Sequence, residues 1–192
     1  MASPRTRRLM LDYEMLQKRF ARWPRIQVTA LYGLPPESYN ISYAFKGLYV
    51  DEDGEILERH LHVVEINLSL EYPRRAPQCR MLTPVFHPNF DNASVCIGDF
   101  WAASEWLDDL VIRIGRMIAY QEYNIRSPLN GLAARWAAEH QNLLPVDRQN
   151  IAPPGSDGLP LTGSGPGRTR VASNSLPEAA NPWANRIVIR CP

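Results

Sequence analysis

The chain has 192 residues, 45% hydrophobic and 9% aromatic, which suits one domain of ordinary size with its own core plus additional segments. A formal net charge of +1 gives no pull toward nucleic acid or an anionic membrane, so neither is expected as a partner. Lys18 and Lys46 are the only lysines, the other basic residues being arginines. A GC-rich genome accounts for this most simply, although an enzyme that delivers acyl groups to amines also gains by presenting few of its own. Cys79, Cys96 and Cys191 are odd in number and irregular in spacing, which fits neither a disulfide framework nor a zinc site. No metal or cofactor is expected. Residues 1–20 mix arginines and acids with apolar residues, so they read as neither a signal peptide nor a membrane anchor, and a reducing cytoplasm is the expected home.

Ser3-Pro4 reads as a helix start, with a cap residue followed by proline at the first helical position. Leu9, Tyr13, Leu16 and Phe20 then recur at helical spacing, with Arg7, Arg8, Asp12 and Lys18 on the other face. After Pro24 the period becomes two. Ile26, Val28 and Ala30 mark one strand; Tyr39, Ile41, Tyr43 and Phe45 mark a second. Asp51 to Gly54 is a turn between two such runs. From Leu61 to Leu70 a further strand puts His62, Val64, Ile66, Leu68 and Leu70 toward the core, and Gln78 to Leu82 is the last. Residues 84–104 have no clean period and read as an ordered functional loop. Leu110, Ile114, Met117 and Ile118 resume helical spacing behind Asp108 and Asp109, acids that suit a helix N-terminus. Another amphipathic helix follows Pro128, using Leu129, Leu132, Ala133 and Trp136.

Strands first and helices afterwards predict an α+β domain, an N-terminal helix and a four-stranded antiparallel meander with helices packed on it. This core is expected over residues 1–144. From Pro145 the composition turns to Pro, Gly, Ser and Asn, so residues 145–192 read as a disordered or weakly ordered tail, with a short strand near 186–190.

The irregular loop contains Phe86-His87-Pro88-Asn89, and Cys96 follows seven residues after Asn89. Before it stand Tyr72-Pro73 and Pro77; after it come Trp106 with Leu110, Ile112 and Ile114, and then Ser127-Pro128-Leu129-Asn130. Taken in this order, these motifs resemble the ubiquitin-conjugating enzyme family over roughly residues 5–142. The resemblance implies the UBC-like fold and a catalytic cysteine at Cys96. It also implies an amide donor at Asn89 for the oxyanion that forms when an amine attacks the thioester. His87 and Pro88 are expected to shape the loop, with Tyr72, Trp106 and Ser127 as its supports. Arg7 and Arg8 are candidate contacts for an activating enzyme, a solvated basic face being the alternative for both.

Several positions depart from the family pattern. The interval from Asn89 to Cys96 is one residue short, and Ser127 stands where an acid often orients the acceptor lysine. Asp99, Glu105, Asp108 and Glu122 are the candidates to replace it. Arg74 stands where many members have an apolar residue that contacts RING-type ligases, and Leu107-Asp108 follows Trp106 in place of Ser-Pro, so a RING partner is not supported. These drifts and the lysine-poor usage are those of a divergent bacterial member, a class encoded in some cases with anti-phage systems.

The expected function is therefore conjugation of a ubiquitin-like protein, received from an activating enzyme on Cys96 and passed to an amine of a protein substrate. A non-catalytic variant that only binds partners is the runner-up, and a Cys96–His87 thiol hydrolase is a third. Cys79, within a strand, reads as buried and inert. His60 and His62 read as structural or surface residues, Trp101 as packing.

Overall fold

The computed structural model describes residues 2–91, 94–97 and 101–154. Helix α1 spans Pro4–Phe20, and the Ser3 side chain caps it by accepting from the Thr6 amide at 3.0 Å. Its buried face is Leu9, Asp12, Leu16 and Phe20. The strands are β1 (Ile26–Gly33), β2 (Pro36–Tyr43), β3 (Gly47–Val50), β4 (Ile56–Arg59), β5 (His62–Asn67) and β6 (Gln78–Met81). The expected meander is present as a four-stranded antiparallel sheet in the order β1-β2-β5-β6. The Asp51–Gly54 turn belongs to a separate two-stranded hairpin, β3–β4, with Gly54 at φ +81°, a conformation that favours glycine.

Period-two patterning sets the buried face. Tyr39, Ile41 and Tyr43 pair with Ile66, Val64 and His62, and all six are fully buried. Leu70 departs from the expectation and is 83% exposed, because β5 ends at Asn67 and alternation ends with it. Helix α2 (Leu107–Ile118) lays Leu110, Val111, Ile114 and Ile118 against this face, and Tyr43 donates its hydroxyl to the Val111 carbonyl at 2.9 Å. Asp108 and Asp109 both bind Arg19 of α1, at 2.5 and 2.7 Å.

Helix α3 is Gly131–Glu139, with the Asn130 side chain capping the Ala133 amide at 3.0 Å. Its buried residues are Ala133, Ala134, Trp136 and Ala137, whereas Leu129 and Leu132, expected on that face, are exposed. The helix starts two residues after Leu129, which leaves that side chain on the loop.

The packed chain continues past 144, where the composition had placed the start of a loose tail. Asp147, Ile151 and Ala152 are buried, Asp147 accepts from the Lys46 amide at 2.9 Å, and the Trp23 indole donates to the Ile151 carbonyl at 3.1 Å. A few apolar residues suffice to dock a short segment, which a composition average conceals. The strand expected near 186–190 and Cys191 lie outside the described residues.

Candidate active site

The segment from Phe86 to Cys96 is held from three sides. The Phe86 amide donates to the Leu48 carbonyl at 2.6 Å, and the Tyr120 hydroxyl donates to the Phe86 carbonyl at 2.8 Å. His87 is fully buried, its ring 4.7 Å from that of Phe90 and 4.6 Å from that of Tyr120. The Asn89 amide donates to His87 Nδ1 at 3.1 Å, which places the ring proton of the neutral form on Nε2. Burial pushes the His87 pKa down to about 3, so the ring stays neutral at physiological pH. Its Nδ1 is thus already engaged within the loop. The Pro88 carbonyl accepts from the Leu129 and Asn130 amides at 2.8 and 3.0 Å, which ties the triplet to the start of α3.

Asn89 and Cys96 are joined through the backbone. The chain reverses after Phe90, Phe90 and Val95 form an antiparallel bridge, and the Cys96 amide donates to the Asn89 carbonyl at 2.8 Å. Asp91 closes the turn by accepting from the Ser94 amide at 2.6 Å. The Val95 amide donates to the Cys79 carbonyl at 2.9 Å, which docks the reversal on β6. Cys96 is half-buried with a free thiol. Cys79 is 5% exposed and burial pushes its thiol up to about 12, so it is inert at neutral pH.

The Asn89 side chain is buried and clasps the loop after α2. Its Oδ1 accepts from the Asn124 amide at 2.8 Å, and its Nδ2 donates to the Asn124 carbonyl at 3.1 Å. Asn124 was not legible in the sequence, because it contributes only backbone groups. Tyr120, at φ +58°, was also missed; it is buried at the start of the same loop and packs on His87 and Trp136. The one signal for it was a large aromatic just beyond the periodic part of a helix.

The supporting residues separate into two groups. Tyr72, Trp106 and Arg8 meet on the α1 side. The Tyr72 hydroxyl donates to Asp12 at 2.6 Å, and the Arg8 guanidinium lies over the Trp106 ring at 4.7 Å. Burial raises the Asp12 pKa, the Tyr72 and Arg8 bonds pulling it back. Trp101 donates its indole N–H to the Pro73 carbonyl at 2.6 Å. Arg8 therefore faces inward, with 12% of its side chain exposed, whereas Arg7 is exposed. Ser127 is exposed on the loop that Asn89 clasps.

Of the acids considered in place of an aspartate at 127, Asp108 is buried against Arg19 and Glu105 is paired with Arg113 at 2.8 Å. Asp99 lies outside the described residues. Glu122 is exposed, two residues before Asn124. His60 is exposed on a bend while His62 is buried, so the two do not share a face. Among the described residues no group of three or more His, Cys, Asp or Glu side chains is placed to hold a metal, and no helix is long and apolar enough to cross a membrane.

The family model for ubiquitin-conjugating enzymes matches residues 15–144, more than half of the chain. The match begins inside α1, after Arg7 and Arg8, and takes in the whole of the sheet, the His87–Cys96 turn, α2 and α3. With an N-terminal helix, an antiparallel meander and C-terminal helices arranged around that turn, the chain belongs to the ubiquitin-conjugating enzyme family.

Proposed function

We propose that the chain receives a ubiquitin-like protein from an activating enzyme as a thioester on Cys96 and transfers it to an amine, in the natural case a lysine of a protein substrate. The observation that carries this reading is the half-exposed free thiol of Cys96, bonded through its own amide to Asn89 while the other described cysteine is buried. In the first step the Cys96 thiolate attacks the modifier's activated carbonyl, forming a new thioester and releasing the thiol of the activating enzyme. In the second an amine attacks that thioester. The intermediate's oxyanion collapses, the carbon–sulfur bond breaks, and Cys96 leaves as thiolate while the amine loses a proton.

Asn89 supports the second step. An amide nitrogen carries two N–H groups, and Asn124 takes one of them. The other serves the oxyanion. Glu122 is the acid assigned to the incoming amine, since it is exposed on the clasped loop while Asp108 and Glu105 are held in ion pairs. Arg7 is retained as a contact for the activating enzyme and Arg8 is not. Exposed Arg74 gives a RING-type ligase no apolar contact.

The test is a non-reducing gel with intact mass after incubation with ATP, the activating enzyme and the modifier. Wild type should form a modifier-sized adduct that thiol removes, Cys96→Ala none, and Cys96→Ser at most a thiol-resistant ester. No adduct on wild type, while the same activating enzyme charges itself, would replace this reading with that of a non-catalytic binding variant.

A further inference from the structure

Two leucines at the start of α3 stay in solvent. Leu129 and Leu132 are 43% and 60% exposed, while Ala133, Ala134, Trp136 and Ala137 take the core side. Leu132 and Arg135, three residues apart, share one face of the helix. With Leu129, Asn130, Gly131 and Asp91 they line an open trough of about 480 Å³. A single exposed leucine is ordinary on a protein surface. These two stand beside the thiol. The Pro88 carbonyl accepts from the Leu129 and Asn130 amides at 2.8 and 3.0 Å, and the Cys96 amide donates to the carbonyl of Asn89, the next residue. Two hydrogen bonds and one peptide link therefore join Cys96 to the wall of the trough. Asp91, also in the lining, belongs to the turn between Asn89 and Cys96.

The charges of the trough are unbalanced. The Asp91 carboxylate accepts from the Ser94 amide at 2.6 Å and from the Ser94 hydroxyl at 3.2 Å. Arg135 is exposed, and among the described residues its side chain has no ion pair or hydrogen bond. The trough also continues the loop that carries Glu122, since Ser127 and Pro128 run directly into Leu129. An unpaired cation and two apolar side chains at this place fit the stretch of acceptor that flanks the target lysine.

We propose that this trough selects the acceptor, with Leu129 and Leu132 packing an apolar side chain next to the target lysine and Arg135 pairing an acidic one. An exposed ion pair is worth up to roughly fivefold in binding, and partial burial of one leucine about as much. The preference is therefore modest for each contact and comes from the two together. Selection of an acceptor for transfer rests on the reading of Cys96 as the carrier; the affinity of the trough for an acidic, leucine-bearing segment does not.

The test uses end-blocked peptides in which a central lysine is the only amine: Glu-Leu-Lys-Leu-Glu, Arg-Leu-Lys-Leu-Arg and Glu-Ser-Lys-Ser-Glu. Their symmetry makes the direction of binding irrelevant. Single-turnover discharge of the pre-charged full-length chain, well below saturation, gives a second-order rate for each. Wild type should favour the first peptide over the second by roughly tenfold, attraction against repulsion at Arg135, and over the third by roughly fivefold. Arg135→Glu should reverse the first preference, and Leu132→Ser should remove most of the second. Both side chains are exposed, and a ratio taken within one variant cancels any change in folding or in the chemistry at Cys96. Equal rates for the three peptides in wild type, or the same ratios in the variants, would overturn the proposal. Slower charging of Arg135→Glu with unchanged ratios would overturn it in favour of the modifier's own tail as the occupant. In the uncharged chain, Glu-Leu-Lys-Leu-Glu should shift the amide resonances of Leu132 and Arg135 at concentrations where Arg-Leu-Lys-Leu-Arg does not. Failure of wild type to form any adduct would sink the carrier reading alone. Those resonances would still decide what the trough holds, and equal shifts or none with the two peptides would overturn the proposal.

Discussion

The Cys96 amide donates to the Asn89 carbonyl at 2.8 Å, so the two residues are registered by backbone and not by their side chains. The Asn89 side-chain carboxamide is left to grip the Asn124 backbone across the site. Substituting Asn89 thus leaves the Cys96 turn paired and releases the loop that carries Glu122 and Ser127. Position and chemistry can be separated by experiment.

Asn89→Ala should slow discharge of a pre-charged chain by roughly 100-fold, the loss typical of removing one oxyanion donor. It should also lower the unfolding free energy by about 1–3 kcal/mol through the two lost hydrogen bonds. Asn89→Asp keeps an acceptor for the Asn124 amide but loses the donor, and should discharge as slowly as the alanine variant. Single-turnover discharge beside urea melts reads both quantities. Discharge that recovers in the aspartate variant would assign Asn89 to holding the loop alone.

Two buried histidines make stability fall with acid. The His87 pKa is pushed down to about 3 and that of His62 to about 4, in both cases by burial. The unfolded chain takes up protons near pH 6.5 that the folded rings refuse, so stability is full above that pH and declines as pH falls toward the folded values. Each ring removes about 1.4 kcal/mol per pH unit across that window. Asp12, raised by burial, works in the opposite sense and offsets at most one proton of the two. Urea unfolding at pH 7 and pH 5 should therefore differ by about 2–4 kcal/mol, with the lower stability at pH 5. A flat profile would mean that neither ring is sealed from protons.

Much of the fold was legible because its signals are local. Alternation in Tyr39, Ile41 and Tyr43, helical spacing from Leu110 to Ile118, and the Ser3-Pro4 cap each depend on near neighbours in sequence. The β3–β4 hairpin was legible only as its Asp51–Gly54 turn, since four-residue strands carry too few residues to show a period. At the site, His87, Asn89 and Cys96 announce themselves by residue type. Asn124 does not, because any residue supplies its backbone N–H and C=O. Arg8 was read as a surface residue because helical spacing places it beside Arg7. Its inward turn is set by Asp12 one turn later and by carbonyls at 103 and 105, contacts too distant in sequence for a periodicity to register.

The segment after α3 is part of the folded core, and its loss should show. Ile151 is fully buried, and a Cβ on Gly115 would stand 2.6 Å from its Cγ2. Ile151→Ala should cost about 2–5 kcal/mol, and Gly115→Ala about 1–3 kcal/mol through overpacking. Ending the chain at residue 144 should destabilise it by more than ending it at 154, as read by thermal melts. Equal melts for the two truncations would mean that residues 145–154 contribute nothing to the core.

On the proposed mechanism, Glu122 is the acid that serves the incoming amine. Ser127 has no carboxylate, Asp108 and Glu105 are tied to Arg19 and Arg113, and Glu122 stands exposed on the loop that Asn89 holds. A lysine amine is mostly protonated at neutral pH, so a carboxylate that orients it and takes its proton accelerates attack. Glu122→Gln should leave charging of Cys96 unchanged and slow discharge to lysine by roughly 100-fold, the lower end of such effects. Discharge to hydroxylamine, an amine already neutral at pH 7, should be nearly unaffected. Adding Ser127→Asp to Glu122→Gln should restore part of the lysine rate, since it returns a carboxylate to the same loop. A Glu122→Gln chain that discharges to lysine at the wild-type rate would remove Glu122 from the mechanism, and a gain from Ser127→Asp in that background would then show that the natural chain works without an acid at this place.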